Sequence, residues 1–264
     1  MLVKNLNIAE RVEDVSRCYS DSIEDVISTA VVIQECELQL LCNSDIHKPK
    51  KNYVDVGKTI VIEQNVVDCI NEELREGNSV TVLNFASYKN PGGMYLKGST
   101  AQEETLCKHS TLYNVLSAFD SSFYARNRSS LNYGLYKSNM LLAIGVDFFG
   151  EDIHDYRGKA NVITMAAPNA GVAAWNGIPV YDINKVICER LSQIYKVAAI
   201  SGTDVLIVGA YGCGVFKNDA KAVASCVAEL SKEYKDYFKK IIHPVIGDNF
   251  KIFYDVIDEC LKRN

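Results

Sequence analysis

The run Asn90-Pro91-Gly92-Gly93 is followed nine residues later by Gln102-Glu103-Glu104, which sets two acids beside backbone that a ligand can approach. Residues without a Cβ admit a substrate close to the main chain, and a protonated carboxyl can hand a proton to a leaving group. A second glycine run, Gly209-Ala210-Tyr211-Gly212-Cys213-Gly214-Val215-Phe216, lies far downstream. Main-chain N–H groups turned inward there, at a helix N-terminus, would form a nest suited to phosphate or pyrophosphate. No Gly-Lys-Ser/Thr follows, so it is not a P-loop, and its G-x-x-G-x-G spacing is not the dinucleotide fingerprint. The chemistry on offer is acid catalysis next to anion binding.

The acids also have a plainer explanation. Thr100-Ala101-Gln102-Glu103 matches a capping box, in which Glu103 would reach back to the helix start, and acids are favoured in a first turn by the helix dipole. Capping accounts for Glu103 but not for Glu104 or the upstream turn. Neighbouring helical side chains diverge by about 100°, so the two carboxylates would do different jobs, one orienting hydroxyls and the other handling a proton. Lys89, Lys97, Lys108 and Lys217 flank the glycine runs and read first as solvated side chains. The Ser-, Asn- and Tyr-rich stretch 120–139 reads as a long surface loop, an ordinary insertion ahead of a substrate-covering flap.

Apolar periodicity says what must position these groups. Residues 6–29 carry helical spacing, as do 65–76, 182–199 and 219–239. Short apolar runs at 31–33, 59–62, 80–85, 141–144, 162–165 and 205–208 read as strands. Strands alternating with helices predict an α/β fold with a largely parallel sheet covered on both faces, and place both glycine runs at strand-to-helix crossovers.

A chain of 264 residues that is 48% hydrophobic can bury a full core and is most simply one domain. Nine cysteines with no C-x-x-C pair do not form a disulfide framework, and the N-terminus does not resemble a signal peptide, so the expected setting is reducing and cytoplasmic, the nucleus included. Four histidines without ligand spacing predict no metal, and no apolar run is long enough for a bilayer. A net charge of −5 argues against attraction to a nucleic-acid backbone.

Taken together, Asn84-Phe85-Ala86, Asn90-Pro91-Gly92-Gly93, Gln102-Glu103-Glu104, Leu106-Cys107 and Ser110-Thr111-Leu112-Tyr113 resemble the signature of microbial-type poly(ADP-ribose) glycohydrolases. Ala167-Pro168-Asn169 and the run from Gly209 to Asp219 continue the likeness in the family's order. The resemblance implies a three-layer α/β/α macrodomain with a mixed, largely parallel sheet, residues 1–57 forming an N-terminal helical extension and 58–264 the core. It implies a hydrolase that cleaves ribose glycosidic bonds of poly(ADP-ribose) from chain ends, without a cofactor. Removal of single ADP-ribose units from an acceptor, or ADP-ribose binding without catalysis, are the alternatives. Glu104 would be the catalytic acid and Glu103 the residue that positions ribose hydroxyls. Asn90 would hold the distal ribose, with Gly92, Gly93 and Gln102 lining the reacting end. Gly212, Cys213, Gly214 and Val215 would wrap the pyrophosphate, Phe216 would pack against a ribose, and Cys213 would be a small loop residue rather than a nucleophile. The implied partners are ADP-ribose and ADP-ribosylated protein or polymer. Where the family carries a third successive glycine, this chain has Met94.

Overall fold

The computed structural model describes residues 2–44 and 57–263, so residues 45–56 of the expected N-terminal extension lie outside the described residues. The chain opens with helices α1 (Leu2–Cys18) and α2 (Ser20–Thr29), strand β1 (Val31–Ile33) and helix α3 (Glu35–Cys42). Strand β2 (Lys58–Ile62), helix α4 (Val66–Arg75) and strand β3 (Val80–Phe85) lead to helices α5 (Gln102–Lys108), α6 (Leu112–Ala118) and α7 (Ala125–Arg128). Strands β4 (Met140–Phe149) and β5 (Tyr156–Met165) are followed by α8 (Ala170–Trp175), α9 (Val180–Ser201) and β6 (Val205–Ile207). Helix α10 (Ala220–Glu233), strand β7 (Lys240–Pro244) and helix α11 (Asn249–Lys262) complete the chain.

One sheet runs in the order β1-β4-β5-β3-β6-β7-β2. The five strands from β5 to β2 are parallel, and β4 and β1 are added antiparallel, which is the mixed, largely parallel sheet expected. Successive side chains of a strand point to opposite faces, and both faces here are apolar. Leu83, Ile163, Met165 and Leu206 pack with α9, α10 and α11, while Val80, Val82, Val162, Val205 and Ile207 pack with α2, α4, α5 and α6. The result is three layers. Strand β1, within the expected helical extension, joins the same sheet through its pairing with β4.

Several boundaries differ from the sequence reading for identifiable reasons. The strand read at 141–144 continues to Phe149 across a register shift between Ala143 and Val146, where Gly145 takes φ +78°. A bulge of this kind interrupts the apolar run without ending the strand. The helix read at 219–239 stops at Glu233, because Tyr234 turns the chain towards β7. Strand β7 and helices α3, α8 and α11 were not anticipated. Among the described residues no helix is long and apolar enough to cross a membrane, and all nine cysteines are free.

Candidate active site

Strands β3, β5 and β6 lie side by side and parallel, and the segments leaving their C-terminal ends converge at one edge of the sheet. That edge is where open parallel sheets bind ligands. The first segment begins with a tight turn: Gly93 N–H donates to Asn90 O at 3.0 Å, with Pro91 and then Gly92 (φ +63°) between them. Proline followed by a glycine of positive φ is the pattern of a type II turn. Gly92 is buried, and a Cβ on it would sit 2.7 Å from the Tyr113 ring, so it serves packing rather than ligand access. Asn90 is exposed at the mouth of the turn.

Gly93 is different. A Cβ built on it would lie 2.5 Å from Glu104 Oε1 and 2.8 Å from Glu103 Oε2, so both acids meet at this one residue. The expected divergence of neighbouring helical side chains does not keep them apart, because both glutamates sit in the first turn of α5 and bend to the same spot. Glu104 Oε1 accepts from the Met94 N–H at 2.8 Å. Glu103 accepts from Ser87 N–H at 2.7 Å and from Asn84 Nδ2 at 3.2 Å, and both acids are buried. Burial pushes Glu103 up to about 8, against the two donated hydrogen bonds and with a smaller push from Glu104. Glu103 is therefore a neutral carboxylic acid at pH 7.

These contacts overturn the capping box. The residue at the helix N-cap is Ala101, without a side-chain cap, and the Glu103 carboxyl turns towards β3 instead. Gln102 also departs from its expected place among ligand-lining residues. Its Oε1 accepts from Phe85 N–H and its Nε2 donates to Leu83 O, each at 2.8 Å, so its amide fastens α5 to β3.

Since folding requires Glu103 to be buried neutral, stability tied to this group is fully present below about 4.5, its ordinary value, and is lost as pH rises through about 8. Glu103→Gln is expected to flatten that loss. Denaturant midpoints of parent and variant between pH 5 and 9 would check this, and parallel slopes would refute it.

The second glycine run leaves β6 as a loop rather than a helix start. The N-terminus of α10 is already capped by Asp219, whose Oδ1 accepts from Lys221 N–H at 2.9 Å, so the expected helix-end nest is replaced by the loop itself. Among the described residues, the N–H groups of Gly214, Val215 and Phe216 have no intramolecular acceptor, which makes three consecutive donors available. Gly214 is exposed and a Cβ there would meet nothing within 4 Å. Gly212, at φ +74°, instead packs so closely that a Cβ would lie 2.6 Å from both Ala167 and Asn218. Asn218 Nδ2 ties this loop to Pro168 O at 2.8 Å. The Cys213 thiol is pushed up to about 12 by burial, so it stays protonated and is no nucleophile.

The stretch 120–139 is not the ordinary insertion its composition suggests. Residues Asp120–Tyr124 form a π-helical turn, Phe123, Tyr124 and Asn127 are buried, and Tyr136 stacks on Tyr88 with ring centroids 4.1 Å apart. Phe216 meets Tyr136 edge-on at 6.0 Å, so the first segment, this stretch and the second loop share one aromatic cluster. Arg190, fully buried on α9, holds it: the guanidinium donates to Leu135 O at 2.6 Å, Tyr136 O at 3.2 Å, Ala166 O at 3.0 Å and Ser138 Oγ at 3.1 Å. Sequence reasoning passed over Arg190 although it interrupts an apolar stripe, Ile183-Ile187-Leu191-Ile194, which was the available signal. Arg190→Met would leave these acceptors buried without donors. It is expected to cost about 3 kcal/mol or more of stability in denaturant unfolding.

Beside Glu104 a cleft of about 580 Å³ opens between α1 and the start of α5, with Arg11, Tyr95, Ser99 and Lys108 among its walls. Lys108 pairs with Glu151 at 2.8 Å, while Arg11 donates to Lys108 O and Glu151 O, so both cations are structural. Met94 adopts φ −109°, which any residue tolerates, its side chain is half-exposed, and it is the backbone N–H that contacts Glu104. A third glycine is thus not required by the backbone. Met94→Gly is expected to preserve the fold and to shift the relative rates on polymer and mono-modified protein by a few-fold. Matched rate measurements on the two substrates would decide, and identical kinetics would remove Met94 from the site.

The microbial-type PARG catalytic-domain family matches residues 10–151, more than half of the chain. The poly(ADP-ribose) glycohydrolase of Deinococcus radiodurans, solved in complex with ADP-ribose, is 28% identical over 90% of this chain and 97% of its own, with a TM-score of 0.78. That of Thermomonospora curvata is 24% identical over 96% of this chain and 99% of its own, with a TM-score of 0.81. The same T. curvata protein bound to the inhibitor ADP-HPD superposes equally well, at 0.81. Among curated proteins there is no significant sequence match.

Proposed function

The chain belongs to the microbial-type poly(ADP-ribose) glycohydrolase family, and from that premise we propose that it releases ADP-ribose from poly(ADP-ribose) chain ends, with Glu104 as the acid. The observation that carries this reading is the meeting of Glu103 and Glu104 at Gly93, beside a loop with three free N–H groups. The D. radiodurans relative was solved with ADP-ribose bound, and paired acids together with a loop of free N–H donors are the groups that a ligand with a ribose at one end and a pyrophosphate behind it would use.

Cleavage of a ribose C1″–O bond builds positive charge on the sugar and negative charge on the departing oxygen. Glu104 delivers its proton to that oxygen as the bond breaks, and its carboxylate then faces the oxocarbenium-like sugar. The same carboxylate takes a proton from the water that adds to C1″, which restores the acid. Glu103, neutral and fixed by Asn84 and Ser87, orients the distal ribose hydroxyls. Asn90, free at the mouth of the turn, adds a ribose contact, and the cleft beside Glu104 has room for the departing group. Gly212 supports the pyrophosphate loop from below, while Gly214, Val215 and Phe216 donate to the phosphates. Residues 1–57 and 58–264 are read as one domain, which the seating of β1 in the sheet supports.

The decisive experiment supplies polymer and, separately, a mono-ADP-ribosylated protein, and detects free ADP-ribose by mass spectrometry. Release from polymer is expected. Binding of ADP-ribose with no release from either substrate would overturn catalysis in favour of a reader.

A further inference from the structure

All four non-glycine residues with a left-handed backbone among the described residues, Asn132, Tyr133, Tyr136 and Lys217, lie beside the second loop. Such conformations are costly and persist where surrounding structure enforces them, often next to a ligand. Tyr136 turns inward onto Tyr88, but its neighbours present side chains outward: Tyr133 is 69% exposed, Val215 in the loop 80%, and Trp175 on neighbouring α8 85%. These are one surface. Asn176 Nδ2 donates to Tyr133 O, Gly171 N–H donates to Phe216 O, and a Cβ on Gly134 would lie 2.9 Å from Val172 Cγ1. Val172 and Trp175 share a face of α8, being three residues apart.

Two features select the occupant. The surface is continuous with the loop proposed to hold a pyrophosphate, through Gly171 N–H and Phe216 O. Lys217 runs along the start of α8, its Cδ 3.5 Å from where a Cβ on Gly171 would be, and its ammonium has no intramolecular partner among the described residues. Exposed aromatic rings beside an unpaired cation are what a strand of bases and phosphates binds. We propose that Trp175 and Tyr133 form a stacking platform for the purine of a second ADP-ribose unit, with Lys217 meeting its phosphates. This rests on the reading of the site as one for poly(ADP-ribose). A chain end seated in the site has no unit on the adenosine side, so the platform adds internal positions of the polymer to those the protein accepts.

Trp175 is the single tryptophan of the chain, which makes its emission a direct reporter. The titration uses Glu104→Gln protein, so that the polymer is not consumed, and compares ADP-ribose with an oligomer of defined length. The oligomer is expected to quench Trp175 strongly and to bind about tenfold more tightly than ADP-ribose, within the range that stacking one base supplies. By calorimetry, which needs no fluorophore, adding Trp175→Ala should abolish that advantage while leaving ADP-ribose affinity unchanged, and Tyr133→Ala should reduce it in both readouts. An oligomer advantage that survives both substitutions overturns the platform. So does a loss of ADP-ribose affinity in Trp175→Ala, which would assign the ring to the bound unit's own adenine, and so does quenching by a basic peptide but not by the oligomer. If neither ADP-ribose nor oligomer binds, the reading of the site falls together with the platform; if ADP-ribose alone binds, only the platform falls.

Discussion

Glu104→Gln is expected to lower the rate of ADP-ribose release by about 10²- to 10⁴-fold, the usual worth of a general acid. The substitution keeps the oxygen that accepts from the Met94 N–H and keeps a side chain of the same size in a first helical turn. Thermal stability should therefore change little, and affinity for ADP-ribose should stay within a few-fold. Single-turnover kinetics and calorimetry on the same preparation separate the two effects. Near-normal hydrolysis would remove Glu104 from the role of acid. A large loss of ADP-ribose affinity would mean that it holds the ligand rather than moves a proton.

Gly93→Ala is expected to reduce hydrolysis at least as severely as a 1 Å misplacement of a reacting group, on the order of 10²-fold. The added methyl would intrude on Glu104 Oε1 and Glu103 Oε2 at once, and the residue sits at φ +61°, where a side chain is strained. A matched control separates these causes. Gly77 has φ +78° and open space around its missing Cβ, so Gly77→Ala carries the backbone penalty of roughly 1–2 kcal/mol without any steric one. A loss of stability in Gly93→Ala at least as large as that in Gly77→Ala, with activity lost only in Gly93→Ala, is the expected pattern. Retained activity in Gly93→Ala would show that the acids do not need to meet there.

Much of this site was legible in the sequence because its parts are local. The turn at 90–93 is written in Pro and Gly, and the strands that carry both glycine loops are apolar on both faces because the sheet is covered on both sides. What could not be read locally was decided by partners distant in sequence. Thr100 to Glu103 satisfies a capping pattern, yet Asn84 and Ser87 draw the Glu103 carboxyl away from the helix end. The polar stretch 120–139 has the composition of a solvated loop, yet the core under Phe123 and Tyr124, the guanidinium of Arg190 and the ring of Tyr88 make it part of the interior. Strand β7 escaped because a lysine opens it and a proline closes it, features that weaken a strand signal although parallel neighbours on both sides sustain it here.

The amide of Gln102 has a mechanical meaning. Strand β3 is bonded to β6 only through Val80 to Val82, whereas β6 stays with β7 along its whole length and one residue further, as Val208 N–H donates to Ile242 O. Beyond that point the sheet forks, and Gln102 fills the gap by bonding to Leu83 and Phe85 as a strand would. One tine of the fork carries the paired acids and the other carries the anion loop. A single side-chain amide thus clamps the helix of the acids onto the free edge of its own tine, and so acts as the gauge that fixes where the acids stand along the fork.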